Sequence, residues 1–374
     1  MAKGRERGRR RLPAFFSSGL TTAYVLVVGL TLACAAVVSG DREAEAVDHG
    51  AGEHNHSLVV PPAPQRSLAG SLKLPARPQG RTDFRELPPA ERDGLIEITD
   101  DGQRLPRISA GGWMPWIAHA RRFDPEGPAA RVGLLMLNLG ADEVLMRRAI
   151  EELPPEVSLA FLPGTPDLHR WLKASRERGH ECYLMLPVED PAGPAERGIR
   201  PIEASADPAE NLRRLRTAMS RGEGCLGFVV PGPVLVAQSD LIARPLMKEI
   251  AERGLSLIEI NPAGVSAMYR LTVDLGVGYA RSSTVLDYKL AGPASIDGNL
   301  DRLAEWAGQP SNDRTPRHDF GVLQPADAAI DAIVAWRKRL QRQNAVALVP
   351  IIGHFECREA CMARVRAQPA QLRP

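Results

Sequence analysis

The sequence predicts an α/β protein whose main domain is an irregular (β/α) barrel. From Arg131 onward, short apolar runs that are typical of buried parallel strands alternate with segments of helical periodicity. Eight such apolar runs fall within residues 131–350. Repeated strand–helix units build a parallel sheet with right-handed crossovers, and this number of units fits a closed or nearly closed barrel. A doubly wound open sheet is the alternative.

The candidate strands and helices follow one another along the chain. The apolar runs lie at 132–137, 157–161, 181–186, 225–230, 255–260, 278–282, 319–323 and 345–350. Helical patterns occupy 143–153, 208–220, 239–253 and 326–342. Their ends carry the residue types expected there, since Asp207 and Pro208 open the second helix and Gly254 follows the third.

Residues 20–39 carry no charged side chain. They predict a transmembrane helix, because about 20 helical residues span the roughly 30 Å hydrocarbon core of a bilayer. Residues 1–19 are rich in lysine and arginine, so we expect this basic N-terminus to stay in the cytoplasm. The chain is then a single-pass protein of the inner membrane with a periplasmic, or otherwise extracytoplasmic, C-terminal domain. A signal peptide cleaved near Ala33–Ala36, or a lipoprotein signal at Cys34, is the alternative.

Residues 40–94 predict a disordered linker. They are rich in alanine, proline, glycine and charge, and they offer few large apolar side chains for a core. The segment contains His49, His54 and His56, which could bind a transition metal weakly. A solvated linker is the favoured interpretation, because nothing preorganises the three imidazoles.

Residues 95–354 are expected to form the main domain. At its start, 95–98 and 105–108 predict short extended segments on either side of a turn. Trp113 and Trp116 follow, and we expect them to pack on the domain as part of a lead-in arm. Stacking of these rings on a sugar is the alternative interpretation.

Residues 355–374 predict a C-terminal helix or tail. Cys357 and Cys361 lie one helical turn apart in it, and the local sequence offers few partners for a metal or redox role. Cys182 and Cys225 fall in predicted strands, where a buried free thiol is the ordinary interpretation.

Composition and missing motifs exclude several classes of partner. The formal net charge of +2 gives no long-range field that would attract nucleic acid. The sequence contains no phosphate loop, dinucleotide fingerprint, nucleophile elbow, HExxH motif or paired CxxC motif. We therefore expect neither a nucleic acid nor a nucleotide as partner, and any chemistry must rest on polar residues near strand ends.

Polar residues near the predicted strands give a candidate cleft. They are Asn138, His180, Glu181, Glu189 and Asp287. Asn138 and Glu189 follow apolar runs, and α/β folds place their ligands at the carboxyl ends of such strands. For His180 and Glu181, a plain polar entry into a strand is an equally good interpretation. Asp287 serves equally well as a loop or capping carboxylate.

The chain resembles the divergent polysaccharide deacetylases of bacterial envelopes over about residues 95–351. The segments that carry this resemblance in order are 105–124, 132–140 (VGLLMLNLG), 153–189, 207–215, 253–260, 285–287, 320–325 (FGVLQP) and 346–351. The resemblance implies a barrel of the polysaccharide-deacetylase type. In the wider superfamily, one Asp and two His hold a divalent metal, and a second Asp takes a proton from the metal-bound water.

The resemblance also implies that this site is degenerate. Leu137 and Asn138 stand where the family keeps an Asp–Asp pair, and Met185 and Glu189 stand at the positions of the paired histidines. A leucine cannot act as a base, and a thioether is a poor ligand for zinc. Glu259, where the family often has Asp, joins the candidate cleft. No cofactor is therefore expected, and Asn138, Met185 and Glu189 form at most the remnant of a metal site.

The function implied is that of a membrane-anchored protein in carbohydrate metabolism or cell-envelope maintenance, with a deacetylase-like domain that is weak or inactive as an enzyme. Its expected partners are the inner membrane, through residues 20–39, and an envelope glycan or a periplasmic protein. One alternative is an active zinc-dependent deacetylase of N-acetylated envelope glycans, which an acidic cleft would favour. The other is a non-catalytic periplasmic interaction module, which a filled apolar barrel mouth would favour.

Overall fold

The computed structural model describes residues 94–122, 130–189, 198–260, 264–287, 293–309, 318–343, 345–357 and 359–366. The predicted anchor at 20–39, and the predicted linker up to residue 93 with its three histidines, lie outside these residues. Within the described ranges, every helix is too short or too polar to cross a membrane.

Nine parallel strands of the described chain form one sheet, and a small antiparallel pair precedes it. The pair is β1 (Ile96–Ile98) and β2 (Arg104–Pro106). The strands of the sheet are β3 (Arg131–Leu139), β4 (Ser158–Phe161), β5 (Cys182–Met185), β6 (Gly227–Val230), β7 (Ser256–Ile260), β8 (Tyr279–Ser282), β9 (Thr284–Val285), β10 (His318–Leu323) and β11 (Ala347–Leu348).

The order of neighbouring strands shows how the sheet curls. It runs β8-β7-β6-β5-β4-β3-β10-β9, and β11 pairs with the first residues of β3. The strands from β3 to β8 thus follow chain order, without the reversal that marks a doubly wound sheet. The Ser282 hydroxyl at the end of β8 donates to the carbonyl of Phe320 in β10, which brings the two ends together. The sheet is a nearly closed parallel barrel, as the sequence predicts.

Helices cover the strand connections. They are α1 (Pro115–Ala118), α2 (Glu143–Glu152), α3 (Leu168–Glu177), α4 (Pro208–Arg221), α5 (Leu235–Gln238), α6 (Asp240–Glu252), α7 (Ala267–Leu275), α8 (Pro293–Gly308), α9 (Asp327–Gln343) and α10 (Glu359–Arg366). The four helices with predicted bounds are confirmed to within one residue as α2, α4, α6 and α9. The Asp207 carboxylate caps α4 by accepting from the amide of Ala209 at 2.8 Å, as its position predicts.

Alternation along the strands divides the core into two layers. In β3, Val132, Leu134 and Met136 belong to an outer layer that also contains the buried faces of the long helices. Leu135 and Leu137 belong to an inner layer inside the barrel. This follows from the period of two in a β-strand, which sends successive side chains to opposite faces.

The amino ends of the strands are closed by the lead-in arm and the tail. Trp116 in α1 is buried in the inner layer, and its backbone amide donates to the carbonyl of Gly254 just before β7. Its ring lies 5.6 Å from that of Phe355. Trp113 is buried in the same layer, so both rings pack on the domain and neither is exposed for stacking on a sugar.

The cysteines occupy two kinds of environment. Cys182 and Cys225 are buried free thiols, with Cys182 in β5 and Cys225 just before β6. Cys357 and Cys361 form a disulfide that joins the segment after Phe355 to α10. The sequence indicated the spacing of this last pair but not the bond.

Candidate functional site

The carboxyl end of β3 is distorted at the position where the sequence predicts a polar strand end. Asn138 adopts a left-handed backbone with φ 53°. The pairing of β3 with β4 shifts between Met136 and Leu139, which is the signature of a bulge. Gly140 follows with φ 143°, and a Cβ there would lie 2.0 Å from the hydroxyl of Thr165. The bulge interrupts the alternation of β3, because Leu137 belongs to the inner layer and Leu139 to the outer layer, and Asn138 lies between them.

Asn138, Gln324 and Asp287 are joined by hydrogen bonds, and we call these three residues the mouth triad. The Asn138 Nδ2 donates to the Gln324 Oε1 at 2.9 Å, and the Gln324 backbone amide donates to an Asp287 carboxylate oxygen at 2.6 Å. The three residues stand at the carboxyl ends of β3, β10 and β9. The barrel mouth therefore carries two amides and one carboxylate in a single network.

Partial burial changes the acidity of the carboxyl in this network. Removal from water raises the pKa of Asp287 above its usual value, and the hydrogen bond from the Gln324 amide opposes this rise only in part. Asp287 is half-buried, whereas Gln324 is exposed. The triad is thus accessible from solvent and rich in both donors and acceptors.

The interior just below the mouth is apolar. Leu137 is 5% exposed and Met185 is 3% exposed, and both belong to the inner layer. Ile260 at the end of β7 and Val322 near the end of β10 fill the same layer. The positions that the family resemblance assigns to an acid and a histidine are therefore occupied by packed hydrophobic side chains.

Glu189 follows β5 on the mouth side but binds its own loop. One carboxylate oxygen accepts from the backbone amide of Ala204 at 2.9 Å, and the Glu189 amide donates to the carbonyl of Ile202 at 3.0 Å. These bonds hold the segment after β5 to the segment before α4. No hydrogen bond described by the structure connects Glu189 with the mouth triad.

Glu259 lies outside the barrel interior. It alternates with Ile258 and Ile260, which face the inner layer, so its side chain faces the helices. Its carboxylate accepts from Ser266 Oγ at 2.7 Å and from the Tyr279 hydroxyl at 2.8 Å. Burial raises its pKa. The residue therefore ties β7 to the start of α7 and to β8, and it does not line the cleft expected from the sequence.

His180 and Glu181 precede β5 and lie at the amino end of the barrel, which corrects their expected place in the cleft. The His180 ring nitrogens lie 2.8 Å from the Val157 carbonyl and 3.2 Å from the Ile150 carbonyl. Both residues are fully buried. The length of β5 separates these two residues from the mouth, so neither can contact a ligand bound there.

Glu181 is the centre of a buried network at that amino end. Its carboxylate accepts from the backbone amides of Arg121 at 3.0 Å and Ile352 at 3.3 Å. It also accepts from the hydroxyls of Ser158 and Tyr183, each at 3.1 Å. Burial outweighs these bonds and raises the pKa of Glu181 to about 7. The carboxyl links the lead-in arm to the segment that follows β11, at the amino end of the barrel.

The residues at the mouth do not fit the metal that the superfamily binds. Catalytic zinc takes three nitrogen, oxygen or sulfur ligands from the protein and keeps one open position. Here Leu137 supplies no ligand, Met185 is packed in the core, and the Asn138 amide is turned to Gln324. Across the described part of the chain, no three His, Cys, Asp or Glu residues are grouped so that they could hold a metal ion.

Gln324 is the site residue that the sequence analysis missed. It directly follows the apolar run 319–323, so its position at the carboxyl end of a strand could have identified it. An exposed glutamine carries no further sequence signal, because its role depends on a partner 186 residues earlier in the chain.

Comparison with known proteins agrees with this architecture. A crystal structure of an uncharacterized protein from Agrobacterium tumefaciens C58 superposes with a TM-score of 0.59 at 25% identity, covering 67% of this chain and 98% of that one. A CE4 family pseudoenzyme mutant with restored enzymatic activity is a much weaker match, with a TM-score of 0.34 at 13% identity, covering 62% of this chain and 68% of the other. No curated protein matches the chain.

The family comparison covers more than half of the sequence. The profile of the divergent polysaccharide deacetylases matches residues 135–352, which run from the middle of β3 into the short 3-10 helix Ile351–His354 after β11. The chain belongs to the divergent polysaccharide deacetylase family.

Proposed function

We propose that this protein is a catalytically inactive member of its family that binds an envelope glycan at the barrel mouth. The observation that carries the proposal is the replacement of the acid and histidine positions by Leu137 and Met185, both packed in the core, beside the hydrogen-bonded mouth triad. The site keeps polar groups that suit recognition but lacks those that activate water.

The loss of catalysis follows from what each position can supply. A positioned acid or base contributes about 10²–10⁴-fold in rate, and Leu137 can supply neither function. Asn138 brings no negative charge to hold a cation or take a proton. Asp287 remains, but its carboxylate already accepts from the Gln324 backbone amide. Hydrolysis of an acetamide is therefore expected to be weak or absent.

The mouth triad offers suitable groups for a sugar. Each sugar hydroxyl donates one hydrogen bond and can accept others. The Asn138 carbonyl oxygen and the Asp287 carboxylate accept, while the Gln324 amino group donates. Two of these side chains are already fixed relative to each other by the 2.9 Å bond, so little rotamer freedom is lost when a ligand binds.

We also propose that the domain works outside the cytoplasm, held to the inner membrane by residues 20–39. The uncharged segment and the basic residues before it support this placement. The disulfide between Cys357 and Cys361 gives independent support, because such bonds persist mainly in oxidising compartments.

A second candidate function is a catalytically inactive module that binds another protein and no glycan. The apolar filling beneath the mouth, formed by Leu137, Met185, Ile260 and Val322, also suits a periplasmic module that binds another protein. Glycan binding is favoured because the triad forms an organised polar network on top of this filling.

Two measurements on the purified full-length protein test the proposal. First, added zinc, cobalt or nickel should produce no acetate from chitooligosaccharides or peptidoglycan fragments, and robust metal-dependent release would overturn the assigned inactivity. Second, calorimetric binding of the same fragments should weaken at least tenfold in Asp287→Asn and Gln324→Ala. Asp274→Asn is the matched control, since Asp274 is exposed at the far end of α7. Equal affinity of the wild type and both triad variants for the fragments would show that the glycan does not bind at the mouth.

A further inference from the structure

Three aliphatic side chains protrude from one side of the barrel mouth, and we call them the apolar rim. Leu235 is 62% exposed, Leu241 is 79% exposed and Val265 is 58% exposed. Leu235 begins α5 after β6, Leu241 lies in the first turn of α6, and Val265 immediately precedes the capping residue of α7, after β7. All three therefore belong to connections that leave the carboxyl ends of two neighbouring strands.

Ion pairs hold these connections together. The Asp240 carboxylate accepts from Arg244 at 2.6 Å and from Arg270 at 2.9 Å. Arg270 also donates to the backbone carbonyl of Val265 at 3.2 Å. The cluster joins the starts of α6 and α7, so the apolar rim is supported by a fixed surface.

The charge around the apolar rim is basic. Two arginines share one carboxylate, which leaves one net positive charge on this cluster. The side chains of Arg244 and Arg270 are more than half exposed. The residues at 231–234, which lead from β6 to Leu235, are Pro, Gly, Pro and Val and add no charge. Protruding aliphatic side chains flanked by arginine are suited to an anionic lipid surface.

We propose that the apolar rim docks the domain on the outer surface of an anionic membrane. This inference rests on the membrane anchoring proposed above. If residues 20–39 span the bilayer, 54 residues separate them from Gly94. If this segment is disordered, as its composition predicts, a chain of that length has a root-mean-square reach of about 40 Å. The domain then stays near the lipid surface, where even weak insertion of three aliphatic side chains becomes effective.

A lipid surface fits the apolar rim better than a protein partner does. Protein interfaces rely strongly on aromatic anchors that fill matching pockets, whereas the three protruding side chains are aliphatic, and the two neighbouring arginines are held in ion pairs with Asp240. Because the rim lies on the mouth side of the barrel, docking through it would bring the mouth triad close to the lipid headgroups.

Site-specific fluorescence on the full-length protein tests this docking. The chain is reconstituted into vesicles of phosphatidylglycerol and phosphatidylethanolamine, and a Cys34→Ser background removes the cysteine of the proposed anchor segment. An environment-sensitive label is placed through Leu241→Cys or Val265→Cys. Val144→Cys is the matched control, since Val144 is 68% exposed in the first turn of α2 on another part of the mouth.

The labels at 241 and 265 should shift to the blue and be quenched by nitroxide lipids, whereas the label at 144 should be quenched by aqueous iodide. When Leu235→Asp is added, the label at 265 should lose its blue shift and become accessible to aqueous iodide. Equal quenching at 241 and 144 would overturn the proposal, as would a blue shift that depends on protein concentration and not on nitroxide lipids, which would indicate self-association. Failure of the chain to float with vesicles would instead refute the anchoring on which this inference rests.

Discussion

The side-chain amide of Asn138 donates to the side-chain oxygen of Gln324 across 2.9 Å, which ties the end of β3 to the end of β10. The bond is possible because Asn138 adopts a left-handed backbone in a β-bulge. Asparagine is enriched in that region among residues other than glycine. One residue type thus satisfies both the backbone of the bulge and the hydrogen bond across the mouth.

Asn138→Ala should therefore destabilise the fold by about 1–2 kcal/mol. Alanine loses the hydrogen bond, which contributes about 1 kcal/mol, and it tolerates the left-handed conformation less well. Asn138→Gly should cost less than Asn138→Ala, because glycine adopts this backbone freely. Urea unfolding of the three proteins measures the difference, and equal midpoints for the two variants would contradict a role for the backbone conformation.

Restoring an acid at Leu137 should not restore catalysis. Leu137→Asp places a carboxylate among packed side chains at a position that is 5% exposed, so we expect more than about 3 kcal/mol of destabilisation. Leu137→Asn, which has a similar shape without the charge, is the control for the charge itself. Unfolding free energies and acetate release with added zinc are measured together. Stable protein with metal-dependent activity would show that the site is one substitution from function.

Most of the barrel could be predicted because buried parallel strands are continuous apolar runs. The predicted runs contain every residue of strands β4 to β8, five of the six residues of β10 and six of the nine residues of β3. The last run at 345–350 pairs only over Ala347–Leu348. These two residues of β11 pair with Arg131 and Val132 at the start of β3, whereas β4 pairs with β3 from Leu135 onward. The sequence gives the apolar character of such a segment but not how many of its residues find a partner.

The candidate site was harder to predict, because polar residues flank the apolar runs on both sides, and only those that follow a parallel strand lie at the mouth. Glu181 lies at the amino end, whereas Asn138 and Asp287 lie at the mouth. Glu259 shows a second limit. All five residues of β7 are buried, so polarity does not reveal which face of the strand each side chain takes. The face that each side chain of such a strand takes is set by long-range packing.

Reduction of the Cys357–Cys361 disulfide should cost the folded protein about 2 kcal/mol, the order expected from the unfolded-chain entropy of so short a loop. The same loss is expected in Cys357→Ser/Cys361→Ser. Urea unfolding with and without reductant measures it, and mass spectrometry after alkylation confirms the bond. Cys182→Ala is the control, because the Cys182 thiol is free. This variant keeps the disulfide, so its unfolding midpoint should still fall when reductant is added. An unchanged wild-type midpoint after full reduction would contradict a stabilising role.

The Glu181 carboxyl should make stability fall as the pH rises from about 4.5 to 7. Its pKa is about 7 in the folded chain against an ordinary value of 4.5, so the folded state keeps the proton that the unfolded state releases. The stabilisation is complete below 4.5 and is lost as the pH rises through 7, with a total of about 3 kcal/mol.

Asp319 has its pKa raised to about 6 by burial and acts in the same direction, so the contribution of Glu181 must be isolated by difference. The Glu181→Gln variant stays neutral at every pH, and its unfolding free energy should decline less than that of the wild type between pH 5 and 8. Urea titrations at each pH give both curves. Parallel curves would mean that the Glu181 carboxyl is already ionised at pH 5, and that the hydrogen bonds from Arg121, Ile352, Ser158 and Tyr183 outweigh its burial.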